Sequence, residues 1–140
     1  MTTSSAALRV PASTELLPPS LLQLAKALTQ GELDALPSSV LELDRVGRIC
    51  RLNRRAGELL GLAPAQGVRR FFFVEVAPCT QGEEFYGRFL RGVTQRSLCE
   101  SFSFCFLLAG TPRQMRVILC YSPASDTTWV LLNPVEVPGL

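Results

Sequence analysis

The sequence predicts one α+β domain, built on a central antiparallel sheet of about five strands with helices on one face and an N-terminal helical cap. Its length of 140 residues is that of a single domain, and 47% hydrophobic against 19% charged residues supply one packed core. Apolar residues alternate with a period of two towards both ends of the chain and recur at helical spacing between them. Because short turns join consecutive strands, the pairing is expected to be antiparallel.

The first 38 residues are predicted to precede the sheet. Residues 1–20 are rich in Ser, Thr, Ala and Pro, which is typical of a flexible arm. Residues 21–38 are expected to form the helical cap, with a short helix that Ser20 caps and Gly31 ends. One apolar stripe marks that helix: Leu21, Leu22, Leu24, Ala25 and Leu28.

The main domain is predicted to span residues 39–135 and to open with a hairpin. Residues 40–43 and 48–52 have the pattern of strands, and residues 44–47 form a tight turn between them. Asn53 then caps a helix that runs to about Leu60.

A very apolar stretch at residues 68–76 contains three consecutive phenylalanines and leads to a turn at residues 76–80. After the turn, Phe85, Phe89 and Val93 recur at i, i+4 and i+8, which predicts the buried face of an amphipathic helix ending near Ser97.

Three strands are predicted to follow, at residues 101–108, 115–121 and 128–133, before a tail at residues 136–140. Residues 111–113 are expected to break the chain between the first two, because they contain a proline. The first strand alternates strictly, and its two faces divide as follows: Phe102, Phe104, Phe106 and Leu108 on one, Ser103, Cys105 and Leu107 on the other.

Composition excludes several classes of function. The chain has no histidine, which rules out Ser-His and Cys-His nucleophiles, His-ligated metals and a histidine pH switch. A net charge of +2 gives no reason to expect a nucleic-acid partner. Neither a signal-peptide start nor an apolar run of about 18 residues is present, so we expect a soluble cytoplasmic protein without membrane contact.

The five cysteines have no C-x-x-C spacing. Four of them lie in or beside apolar, strand-like runs and are expected to be buried free thiols: Cys50, Cys99, Cys105 and Cys120. Cys79 differs, because it lies in a turn between Pro78 and Thr80.

The sequence around Cys79 resembles a known family. Val-Ala-Pro-Cys-Thr at residues 76–80, followed by Glu-Phe-Tyr-Gly-Arg-Phe at residues 84–89, is similar to the chromophore-attachment segment of the photoactive yellow protein family, whose members have the PAS fold. The similarity extends in register from about Gly31 to Val135. Further matching residues are Gly31 to Leu36, Asn53, Gly57, Phe72 and Phe73, Thr111 and Pro112, and Trp129 and Val130.

The resemblance implies that Cys79 corresponds to the cysteine that carries p-coumaric acid through a thioester. In that family a buried hydrogen-bond network holds the chromophore as a phenolate, and it consists of a Tyr, a Thr, a protonated Glu and an Arg near the mouth of the pocket. This sequence has apolar residues at all four corresponding positions: Leu52, Ala56, Leu60 and Leu62. A buried phenolate without donors is neutralised instead, so a coumaroyl group here is expected to be a neutral phenol that absorbs in the ultraviolet.

The same resemblance implies an apolar ligand pocket beside Cys79, while Arg54 and Arg55 are expected to point into solvent. The implied pocket residues are Leu52, Ala56, Leu60, Leu62, Phe72, Ala77, Pro78, Thr80, Phe106 and Leu108.

Three functions remain open for the chain. In the first, it is a sensor or signalling module that contacts a downstream signalling protein or a second copy of itself, through the N-terminal helix and outward apolar residues such as Leu107. In the second, Cys79 additionally carries a small apolar or hydroxycinnamoyl ligand, and with p-coumaric acid the chain would be a photoreceptor with a neutral, ultraviolet-absorbing chromophore. In the third, Cys79 is an enzyme nucleophile and needs a base, for which Glu83 and Glu84 are the nearest acidic candidates in sequence. Both glutamates are typical of a helix N-terminus, so the sequence favours a protein that is not an enzyme.

Overall fold

The structure is a computed structural model that describes residues 28–108 and 110–135. The predicted arm, most of the predicted helix from Leu21 to Leu28, and the predicted tail lie outside the described residues. The strands are β1 (Ser39–Leu43), β2 (Ile49–Leu52), β3 (Cys99–Leu108), β4 (Thr111–Ser122) and β5 (Thr127–Pro134). The α-helices are α1 (Gln30–Asp34), α2 (Arg54–Leu60), α3 (Pro64–Gly67) and α4 (Arg88–Gln95).

All five strands form one antiparallel sheet in the order β2-β1-β5-β4-β3. Three hairpins build it, and the first and last strands of the chain pair with each other in the middle. The whole segment between β2 and β3 therefore connects one edge of the sheet to the other. The predicted α+β fold with five antiparallel strands is confirmed.

The turn between β1 and β2 is fixed by two residues that the sequence predicts for it. Asp44 Oδ1 accepts hydrogen bonds from the backbone N–H groups of Val46 (3.0 Å) and Arg48 (2.9 Å). Gly47 has φ = +90°, and a Cβ atom there would lie 3.1 Å from Cδ2 of Phe73. Because a side chain would meet both backbone strain and this ring, the position requires glycine.

Each face of the sheet carries its own hydrophobic core. The helix-side core comprises Leu41, Leu43, Ile49, Leu52, Ala56, Phe72, Phe73, Ala77, Phe85, Phe89, Phe102, Phe106, Met115, Val117, Leu119, Val130 and Leu132. The cap-side core comprises Leu33, Val40, Ile118, Cys120 and Trp129, with Leu28, Leu36 and Leu131 packed against them. The segment around α1 thus covers the face of the sheet that the other helices leave open.

Two predicted boundaries are wrong. Gly31 does not end a helix but is the second residue of α1, which starts after Thr29: the Thr29 hydroxyl accepts from the N–H of Glu32, and the Glu32 carboxylate accepts from the N–H of Thr29. Residues 111–113 do not break the sheet but begin β4. Pro112 is tolerated there because it pairs with Leu107 before β5 joins β4, where the strand has only one neighbour.

The expectation of four buried free thiols in the strands is also wrong. Cys99 and Cys120 form a disulfide, because the β3–β4 register places them directly opposite each other with their Cα atoms 4.1 Å apart. Cys50 and Cys105 are exposed. Cys105 lies on the outward face of β3 together with Ser103 and Leu107, as the alternation of that strand predicts.

Candidate functional site

Cys79 lies in a short 3₁₀ turn, Pro78–Thr80, that follows a π-helical turn at Phe72–Val76. The backbone N–H of Ala77 donates to the carbonyl of Phe72 (2.8 Å), which closes the first turn. The hydroxyl of fully buried Thr80 donates to the carbonyl of Ala77 (2.6 Å), which holds the second. The backbone that presents Cys79 is therefore anchored on both sides.

The Cys79 side chain is half-buried and packs against the helix-side core. The aromatic part of this core is centred on Phe85, which belongs to a second π-helical turn at Glu83–Gly87. Its ring lies 5.4–5.8 Å, between centroids, from five others: Phe72, Phe73, Phe102, Phe104 and Phe106. These contacts are tilted or edge-to-face, which is the favoured geometry for aromatic pairs.

The residues of the predicted pocket divide into a closed inner part and an accessible outer part. The inner residues expose 3% or less of their surface: Leu52, Ala56, Phe72, Ala77, Thr80 and Phe106. The outer residues are the half-buried Leu60, Leu62 and Leu108 and the exposed Pro78. A side chain with almost no exposed surface adjoins no space large enough for water. A ligand that reached the inner residues would therefore have to displace their side chains.

Three of the four apolar residues that replace the family's polar side chains share one hydrophobic core with Cys79. Leu52, Ala56 and Leu60 all belong to, or pack against, the same helix-side core as Cys79. Leu62 lies beside Leu52 against α3, since a Cβ atom on Gly67 would lie 3.4 Å from Cδ1 of Leu62 and 3.2 Å from Cδ1 of Leu52. Arg54 and Arg55 are exposed, as predicted.

The carboxylates that a nucleophilic Cys79 would need are engaged elsewhere or exposed. Glu83 Oε1 lies 3.3 Å from Nη1 of Arg91, in an exposed ion pair that spans the helix after Cys79. Glu84 is exposed as well, and its backbone carbonyl accepts a 2.7 Å hydrogen bond from Nε of Arg88. The contacts of Glu83 and Glu84 in the structure are thus with arginines of α4.

Sequence reasoning missed an apolar cleft of about 380 Å³ close to the Cys79 turn. It is lined by Val46, Gly47, Phe71, Phe73, Val74, Gln81 and Tyr86. Phe71 is 39% exposed and Val74 is 63% exposed, although the apolar sequence of this stretch is typical of a buried core segment. The available signal was the run of three phenylalanines, because a single turn of backbone cannot direct three consecutive rings to the same side.

Two kinds of site find no support in the described part of the chain. Residues 28–108 and 110–135 contain no group of three or more Cys, Asp or Glu side chains able to hold a metal ion. Among the same residues, no helix combines the length and apolar character that crossing a bilayer requires.

Comparisons with known proteins agree with this geometry. The PAS fold family model matches residues 27–131. Photoactive yellow protein from Rhodothalassium salexigens is 33% identical over 104 residues, which cover 74% of this chain and 83% of that protein. The homologue from Halochromatium salexigens is 28% identical over 106 residues, covering 76% of this chain and 85% of that protein.

A solved structure of a related domain has the same fold. The photoactive yellow protein domain of the sensor histidine kinase Ppr from Rhodospirillum centenum superimposes with a TM-score of 0.75 and 33% identity, covering 79% of this chain and 97% of that one. The sheet, its order and the helical connection therefore define a PAS domain, a module of the sensor class. Within that class, the chain belongs to the photoactive yellow protein family.

Proposed function

We propose that this chain is a signalling module that acts through protein–protein contacts and that carries a small apolar or hydroxycinnamoyl ligand on Cys79 as a thioester. The observation behind the ligand is the half-buried thiol, held on an anchored turn against an aromatic core. The residues that the family resemblance places around it fit an uncharged ligand, because Leu52, Ala56 and Leu60 offer only apolar side chains.

The attachment step needs an acyl group that is already activated, for example as a thioester. The Cys79 sulfur attacks the acyl carbonyl, the bond to the leaving thiolate breaks, and the proton of Cys79 leaves with it. p-Coumaric acid, attached in this way, would supply light absorption. Its ring would lie beside Leu52 and Ala56 once the closely packed side chains there move apart, and its phenol would stay protonated because these neighbours donate no hydrogen bond.

The signal is proposed to pass to a partner through the outer face of the sheet. Leu107 is 57% exposed on β3, which is an edge strand, and exposed apolar residues favour a protein contact. The related domain from Rhodospirillum centenum belongs to a sensor histidine kinase, which supports a downstream signalling protein or a second copy of this chain as the partner.

Intact mass spectrometry of protein from its native host, before and after hydroxylamine, tests the ligand. We expect an added mass that hydroxylamine removes, since thioesters react with it, and that is absent from Cys79→Ala. Cys105→Ala is the matched control because Cys105 is exposed on the outward face of β3, and it should keep the adduct. An unmodified mass would contradict the proposed ligand on Cys79. It would leave the other half of the proposal, a signalling module that acts through protein contacts alone.

Sedimentation velocity of Leu107→Lys tests the contact face. If two copies meet through Leu107, the variant should weaken self-association by about tenfold or more, which is the effect of exposing one buried leucine. Ser103→Lys adds the same charge on the same face of β3 and should have a much smaller effect. A wild-type chain that stays monomeric would contradict the homodimer and direct the search to a different partner protein.

A further inference from the structure

The disulfide between Cys99 and Cys120 joins the edge strand to the interior of the sheet. The two residues are direct partners in the β3–β4 register, and the next pair along the ladder is linked by a 2.8 Å hydrogen bond from Tyr121 N to the carbonyl of Leu98. Because hydrogen-bonded and non-bonded pairs alternate, Cys99 and Cys120 form a non-bonded pair, in which opposing side chains approach most closely. The register itself brings the sulfur atoms together.

The two ends of this bond have opposite environments. Cys99 is the first residue of β3 and is exposed, so it is the solvent-facing end of the bond. Cys120 is completely buried in the cap-side core. It lies between Cys99 on one neighbouring strand and Trp129 on the other, and it shares the cap-side core with Leu33 of α1.

We propose that the Cys99–Cys120 pair is a thiol–disulfide exchange site, and that its redox state changes the packing of α1 on the sheet. In a reducing cytoplasm, which the sequence predicts, a disulfide is more often redox-sensing than structural. The expected reaction partner is a dithiol reductant, either a small molecule or a protein of the dithiol oxidoreductase class.

The exchange takes place in two steps. One sulfur of the dithiol attacks the sulfur of Cys99, the Cys99–Cys120 bond breaks, and Cys120 leaves as a thiolate that takes up a proton. The second sulfur of the reductant then attacks the first, which releases Cys99 as a thiol and leaves the reductant as a disulfide. Two electrons pass from the dithiol to the protein, and oxidation reverses the sequence.

Reduction releases the cap-side core from a covalent link to the edge strand. Two non-bonded heavy atoms settle about 3.5–4 Å apart, which is much farther than bonded sulfur atoms lie. The exposed Cys99 can turn towards solvent, whereas any movement of the completely buried Cys120 would displace Trp129 or another residue of the cap-side core, such as Leu33. Because α1 has only five residues, its position depends on this packing.

The chain contains a reporter for the change. Trp129 is the single tryptophan of the sequence, it is 1% exposed, and it lies directly opposite Cys120 in the β4–β5 pairing. A disulfide next to an indole ring quenches its fluorescence by electron transfer, so breaking the bond should raise the emission of Trp129.

The experiment uses the full chain, purified without reductant and then titrated with dithiothreitol. After reduction, alkylation and mass spectrometry should show two more modified cysteines, Trp129 emission should rise, and amide exchange in residues 30–36 should accelerate by about tenfold or more while β5 stays protected. Re-oxidation should reverse all three changes. Cys99→Ser should show high emission that does not respond to dithiothreitol, whereas Cys105→Ser, which changes an exposed thiol on the same strand, should respond like the wild type.

Three results would overturn the proposal. The first is alkylation of Cys99 and Cys120 in the denatured protein without any reductant, which would mean that no bond forms. The second is a reduced protein with unchanged Trp129 emission and unchanged exchange in residues 30–36. The third is uniform exchange across the whole sheet on reduction, which would make the bond a structural cross-link. These readouts do not involve Cys79, so they stand or fall separately from the proposed ligand.

Discussion

Asn53 Nδ2 donates a 3.0 Å hydrogen bond to the backbone carbonyl of Leu33 and so connects the two faces of the sheet. The same amide group donates to the carbonyl of Ser38 (2.8 Å). Its Oδ1 accepts from the N–H groups of Val40 and Ala56, both at 3.0 Å. All four hydrogen bonds that an asparagine side chain can make are thus formed, in a fully buried position.

Replacing Asn53 with Ala should lower the free energy of unfolding by roughly 3 kcal/mol or more, because each buried group left without a partner costs about 1–3 kcal/mol. Urea denaturation followed by circular dichroism measures the change. Arg54→Ala, at the adjacent exposed side chain, is the control and should stay within about 0.5 kcal/mol of the wild type. A similar small effect at Asn53 would mean that water replaces the lost partners.

Two glycine substitutions should separate backbone strain from steric clash. Gly47 and Gly61 both have positive φ, +90° and +74°, but only Gly47 has a ring within van der Waals distance of the missing Cβ. Gly61→Ala should therefore destabilise the fold by about 1–2 kcal/mol through strain alone. Gly47→Ala should cost roughly 1–3 kcal/mol beyond that, because Phe73 must move. If chemical denaturation shows the same loss of stability for both variants, the Phe73 ring can move aside at no cost in free energy.

The residues that the sequence predicts correctly are those whose roles depend on neighbours in the chain. Asn53 was identified as a helix cap because its partner, the N–H of Ala56, is three residues away. The buried face of β3 was predicted because alternation is a local property of a strand. The disulfide was not predicted, because it depends on the register between β3 and β4, which is set by the whole hairpin.

At the candidate site, too, local features are predictable from the sequence and features that depend on packing between distant segments are not. Cys79 is identified from a continuous motif and is half-buried in the structure, and its role in attaching a ligand stays a prediction. The cleft lined by Phe71 and Tyr86 was missed because its walls come from three separate segments of the chain. The complete burial of Ala56 likewise results from packing between separate elements. No local sequence pattern predicts it.

The stability of the fold should fall at high pH through Tyr121. Its hydroxyl donates a 2.5 Å hydrogen bond to Asp126 Oδ1, and this bond, together with burial, raises the pKa of Tyr121 despite the opposing effect of Arg96. Because the unfolded state then loses its proton first, the stabilisation is complete below about pH 10 and disappears as the pH rises through the higher pKa of the folded state.

Tyr86→Phe is a useful background for this measurement, because it leaves Tyr121 as the single tyrosine. The tyrosinate absorbance should then titrate above the range of a free tyrosine. Urea denaturation between about pH 8 and pH 11 should show a loss of stability that is absent when Tyr121 is also replaced with Phe. A titration at the ordinary pKa would mean that the bond to Asp126 is not kept in solution.

The wild-type protein acylated on Cys79 with activated p-coumaric acid should absorb in the ultraviolet and not in the blue. The reason is electrostatic, since Leu52 and Ala56 lie in the same core as Cys79 and donate no hydrogen bond to a phenolate. Absorption spectra of the reconstituted protein measure this directly. A strong band in the blue would contradict it and would require donors that these residues cannot provide.

Donors restored at the same two positions should move the absorption towards the blue. The double variant Leu52→Tyr, Ala56→Glu places a phenol and a carboxylic acid beside the ligand, and both can donate to a phenolate oxygen. The double variant Leu52→Phe, Ala56→Met adds comparable bulk without donors and should keep the ultraviolet band, so it separates hydrogen bonding from the strain of overpacking a closed site. If both variants shift equally, the polarity of Leu52 and Ala56 does not determine the charge of the chromophore. If neither shifts although both carry the ligand, the phenol lies outside their reach, against the accessible side of Leu60 and Leu108.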